Sequence, residues 1–88
     1  PWLVAFSADG ETWLEKTAAA DSFLIRKNYF TDAEAVAKYE TVDLPADAAV
    51  THLAASPDGS LIAAVQNGGV HVVEREGPKV RSTWEVGG

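Results

Sequence analysis

The residues able to do chemistry are few and scattered. His52 and His71 lie near the middles of two apolar runs, THLAAS and VHVVE. A metal site would need a third ligand, and the nearest carboxylates along the chain, Asp58 and Glu74, stand at no ligand-like spacing from them. The 88 residues hold no cysteine, which removes a disulfide framework and any thiolate site. Neither histidine has a serine partner in a nucleophile motif. No catalytic residue, metal site or cofactor is predicted, and each histidine is expected to be packed or half-exposed on a strand.

Three tryptophans, Trp2, Trp13 and Trp84, raise a different chemistry, because an indole face can stack on the apolar face of a pyranose. The plainer expectation is that these large rings are buried between sheets. Trp2 and Trp13 favour it, since both fall within strand-like runs rather than loops.

Thirteen acidic against seven basic side chains give a net charge of -6. That balance repels phosphate backbones and anionic lipid surfaces, so neither nucleic acid nor membrane is expected as a partner. The seven cations are scattered among acids and form no basic stripe. No apolar run approaches the roughly 20 residues needed to span a bilayer. The start at Pro1 and the lack of any methionine are read as marks of processing or of a segment of something longer.

The elements that must position these residues are strands. Turn dipeptides at Asp9-Gly10, Asp58-Gly59 and Gly68-Gly69 supply the positive φ of tight hairpins. Between them lie runs of strand length: Trp2 to Ser7, Thr12 to Ala18, Phe23 to Phe30 and Val36 to Asp43, then a break at Leu44-Pro45-Ala46-Asp47. The second set runs Val50 to Ser56, Leu61 to Gln66, Val70 to Arg75 and Val80 to Val86. Strands joined by turns at this spacing predict antiparallel meanders in an all-β fold. One segment dissents: Thr31-Asp32-Ala33-Glu34 has the form of a capping box before AEAVAK, so a short helix over Ala33 to Tyr39 competes with strand there.

The two sets superpose. Ser7-Ala8-Asp9-Gly10 falls on Ser56-Pro57-Asp58-Gly59 at an offset of 49 residues, and Ile25 falls on Val72 at an offset of 47. A period in the forties is that of propeller blades. The passage VTHLAASPDGSLIAAVQNGGVHVVEREG, Val50 to Gly77, resembles a β-propeller blade of the WD40-like or bacterial seven-bladed type. In such repeats an inner strand ends in Ser-Pro-Asp-Gly, and two further strands come after it through a glycine turn. The chain departs from true WD40 repeats at two places: Val73-Glu74 stands where they have Trp-Asp, and Ala48-Ala49 where they have Gly-His. Their hydrogen-bonded tetrad is therefore not expected.

The resemblance implies two four-stranded antiparallel blades, residues 1–44 and 50–88, joined by a linker over 45–49. A blade is apolar on both faces because each packs on a neighbour. Six residues on each of four strands make a face of roughly 400 Å², and leaving one in water forgoes on the order of 10 kcal/mol. The expectation is therefore a larger propeller, completed by further blades of a longer chain or by a homo-oligomeric ring. Ligands of such folds usually meet the loops before the inner strand and between the second and third, which here contain Asp21, Asp47, Gln66 and Asn67; the plainer reading makes these turn formers. The function implied is a non-enzymatic module binding a protein partner. The alternatives are a carbohydrate-binding protein made by ring assembly and a segment of a propeller enzyme, such as the lactonases or quinoproteins, with its active site elsewhere.

Overall fold

The computed structural model describes residues 3–28, 33–34 and 38–85. Eight strands form two sheets of four: β1 (Val4–Phe6), β2 (Thr12–Lys16), β3 (Ser22–Lys27) and β4 (Glu40–Asp43) in the N-terminal sheet, then β5 (Val50–Ala55), β6 (Leu61–Gln66), β7 (Gly69–Glu74) and β8 (Val80–Glu85) in the C-terminal one. Each sheet is a meander in chain order with every neighbouring pair antiparallel. The all-β expectation and its two four-stranded plates are what the chain forms.

The fourth strand begins later than the sequence suggests, at Glu40 rather than Val36. Ala33 and Glu34 form a turn, Lys38 and Tyr39 are irregular, and 29–32 and 35–37 lie outside the described residues. The helix expected over Ala33 to Tyr39 thus falls partly outside them, and no helix occurs among those described. The Glu34 and Lys38 side chains pair at 3.2 Å.

The sheets pack face to face. Leu14, Phe23, Ile25, Val42 and Leu44 from the first meet Val50, Ile62, Ala64 and Val73 from the second in one buried cluster. Strand pairing explains which side chains share a face: Leu14 lies opposite Ile25, and Ile62 lies opposite Val73. Alternation then sends Trp13, Glu15 and Arg26 outward on the first sheet and Leu61, Ala63 and Val72 outward on the second. The inner strand β5 sits against β1 and β2, which brings the lead strands of the two plates together.

Polar contacts stitch one end of this seam. Gly59 adopts φ +74°, and a Cβ there would fall 2.2 Å from Thr12 Oγ1. Only glycine lets the Ser56–Gly59 turn settle on β2. Arg75 Nη1 donates to Thr12 Oγ1 at 2.9 Å and to the Asp58 carbonyl at 3.2 Å. Its Nε lies 3.3 Å from Glu76 Oε1, an ion-pair contact without hydrogen-bond alignment. Lys27 crosses the seam to Glu76 at 2.8 Å and also reaches Glu40 at 3.5 Å. The Glu76 carboxylate raises the Lys27 pKa, and Lys27 in turn holds Glu76 below the usual carboxylate range.

Candidate functional site

The loops named from sequence lie together at the other end of the sheets. The turn from β2 to β3 is held by Thr17, whose hydroxyl accepts from the Ala19 amide at 3.2 Å and meets the Ser22 hydroxyl. Two carbonyls of the same turn reach across to the segment between β4 and β5: Ala20 accepts from the Val50 amide and Asp21 from the Leu44 amide, each at 2.9 Å. That segment carries Asp47. The β6–β7 hairpin completes the cluster, turning through Asn67 (φ 44°) and Gly68 (φ 82°), the left-handed pair that an Asn-Gly hairpin favours.

Gln66 is the keystone of this cluster. Its Nε2 donates to the carbonyls of Ala46 at 2.9 Å and Ala48 at 2.8 Å. Its Oε1 accepts from the Ala46 amide at 3.2 Å and from His71 Nε2 at 2.9 Å. At 1% exposure, the amide has both hydrogens and both lone pairs satisfied within the chain, leaving nothing to offer a ligand. Because an amide oxygen only accepts, His71 carries its proton on Nε2. In the neutral ring Nδ1 then accepts from the Thr83 hydroxyl, 2.9 Å away. A polar relay thus runs from β8 through β7 and β6 to the segment around Ala46.

Of the other residues named from sequence, Asp47 and Asn67 are exposed and Asp21 is half-buried. His71 is buried in the relay, while His52 is exposed, with its Nδ1 3.1 Å from Thr51 Oγ1. A register shift between Val50 and His52 turns both Thr51 and His52 outward. Among the described residues no group of His, Asp or Glu is placed to hold a metal ion.

The tryptophans do not converge. Trp13 stacks on Phe6, with ring centroids 6.2 Å apart, and donates to Glu15 Oε1 at 3.0 Å on the outer face of the N-terminal sheet. Trp84, 66% exposed, lies opposite Val70 on the outer face of the C-terminal sheet. Trp2 lies outside the described residues.

The relay is what sequence reading missed. A signal was present: in LIAAVQ, Gln66 has the parity of the buried Ile62 and Ala64, and a polar side chain on a core face demands partners.

No family model matches the chain, and no curated protein matches it. Solved structures do. Hydrazine synthase from Kuenenia stuttgartiensis superposes with a TM-score of 0.76 at 19% identity, over 99% of this chain and 23% of that one. Apo AztD from Citrobacter koseri superposes with a TM-score of 0.67 at 10% identity, over 86% and 19%. The chain therefore spans less than a quarter of the length of either. Both are of β-propeller type, so the two sheets have the fold of propeller blades.

Proposed function

We propose that the chain is a pair of neighbouring blades of a larger β-propeller and serves as a non-enzymatic module that binds a protein partner through its loop end. The observation that supports this reading is the locking of three loops into one surface. The Gln66 amide and the carbonyls of Ala20 and Asp21 join all three, while Asp47 and Asn67 stay exposed on top. A surface held rigid before binding loses little conformational freedom when a partner arrives. With a net charge of -6, the chain favours a partner whose contact surface is basic.

The test compares the chain with a variant carrying Asp21→Lys, Asp47→Lys and Asn67→Ala, each immobilised and exposed to a source proteome. A partner held at low salt by the parent and lost by the variant, at unchanged circular dichroism, is expected. Equal capture by both would remove any role for the loop end in binding. Sugar titrations that shift tryptophan emission would favour the carbohydrate-binding alternative.

A further inference from the structure

The two sheets are offset repeats, so every position on one face has a counterpart. Thr12 and Leu14 correspond to Leu61 and Ala63 at an offset of 49, and Phe23 and Ile25 to Val70 and Val72 at an offset of 47. In the N-terminal sheet these four form the face on which the C-terminal sheet sits, and each is at most 2% exposed. In the C-terminal sheet the counterparts point away from the interface. There Leu61 is 38% exposed, the neighbouring Trp84 is 66% exposed, and an apolar groove of about 300 Å³ runs over Ala54, Ala55, Leu61, Ala63 and Val72.

We infer that this outer face is the seat of a third four-stranded blade continuing the chain, docked on the C-terminal sheet as that sheet is docked on the N-terminal one. The inference rests on the propeller reading above and gives it a direction. The opposite end of the stack is different. On the outer face of the N-terminal sheet, Ser22 and Leu24 are already 2% and 8% exposed. Glu15 and Arg26 pair at 3.0 Å with side chains 22% and 14% exposed, and the Arg26 guanidinium lies 5.3 Å from the Tyr39 ring centre. These charged residues occupy the positions that Ala64 and Val73 hold on the docking face of the C-terminal sheet. A second copy would have to present this charged face, burying an ion pair that association must desolvate, or a second receiving face with no matching relief. A third blade that repeats residues 45–88 brings a face like that of Ile62, Ala64 and Val73, the one the internal interface already uses. Since Ala63 replaces Leu14 at the centre of the groove, the occupant also projects a larger side chain than Ala64 there.

The chain has no cysteine, so one introduced thiol reports one face. Ser82→Cys, opposite Val72, reads the outer face of the C-terminal sheet; Thr41→Cys, opposite Leu24, reads that of the N-terminal sheet. Maleimide labelling is monitored in the 88-residue chain and in a chain with residues 45–88 appended once more after Gly88. The thiol at position 82 is expected to react at least about 10-fold more slowly in the extended chain, and that at 41 within about twofold of its former rate. Ala64→Leu in the appended copy should deepen the protection, and Ala63→Lys in the original should abolish it. Slowing at 41 instead of 82 would reverse the direction and overturn the inference while sparing the propeller reading. Slowing at neither, or an appended segment that stays unstructured, would overturn the inference and count against blade packing itself. Protection at 82 in the 88-residue chain that grows with concentration would give the face to a second copy and overturn the assignment of its occupant.

Discussion

The Ser7–Gly10 and Ser56–Gly59 turns are the same object in two settings. In each, the serine hydroxyl donates to the aspartate Oδ1, at 2.6 Å in the first turn and 3.0 Å in the second. The same oxygen accepts the amide two residues on, at 3.0 Å in both. The serine hydroxyl accepts the amide five residues on, at 3.1 Å in both. The second turn differs in what lies beneath it. Gly59 rests on Thr12, and the Asp9 amide donates to the Pro57 carbonyl at 3.1 Å, so the turn of one blade is part of the wall of its neighbour. Local sequence thus builds the loop, and position in the stack decides how much rests on it.

Substitution at the two glycines breaks the comparison hardest. Gly59→Ala combines positive-φ strain with a collision against Thr12 and is expected to lose about 2–4 kcal/mol. Gly10→Ala, at φ 76°, is expected to lose about 1–2 kcal/mol from backbone strain. Urea midpoints measure both, and equal losses would deny the second turn its packing role. The loop end gives the next contrast. Gln66→Ala strands three backbone groups and His71, for about 2–3 kcal/mol; Thr17→Ala, at the corresponding exit of β2, is expected to lose about 1 kcal/mol. A Gln66→Ala protein as stable as the parent would show that the relay does not hold the loops.

How much of this is legible in the sequence depends on whether a feature is local. Asp9-Gly10 and Asp58-Gly59 announce their turns because the aspartate and glycine make the turn by themselves. The strands of the C-terminal sheet can be placed nearly to the residue, since their apolar alternation is undisturbed. Sequence overextends β4 because VAKYETVD suits either parity, and its true start depends on where pairing with β3 begins. Gln66 reads as a loop residue open to a ligand, as it borders Asn67; only the pairing of β6 with β7 shows that it points into the core beside His71. The outward Trp13 and Trp84 are equally hidden, because period-2 alternation groups residues onto faces without saying which face meets the neighbour.

Smaller effects sharpen the seam and the turns. A double-mutant cycle between Thr12→Val and Arg75→Met should show coupling of about 0.5–1.5 kcal/mol, and additivity would mean their 2.9 Å contact does not hold the blades. The least change is expected from acid. The Ser60 amide and the hydroxyls of Ser60 and Ser56 lower the Asp58 pKa from 3.8 to about 2. Its share of stability is therefore present above pH about 4 and fades as pH falls through about 2. Asp9 is lowered too, chiefly by the Ser7 hydroxyl. Carboxyl NMR titration should find both below the ordinary value, and Asp58→Asn should flatten the acid limb between pH about 4 and 2.

The claim beneath all of this is that the two plates pack on each other through the faces bearing Leu14 and Ile62. Nuclear Overhauser contacts in the 88-residue chain test it directly, because Gly59 and Thr12 meet only if the plates do. A clear contact between the Gly59 Hα protons and the Thr12 side chain is expected, alongside the cross-strand contacts of each sheet. Intact cross-strand contacts in both sheets with none between Gly59 and Thr12 would describe two independent plates and contradict it.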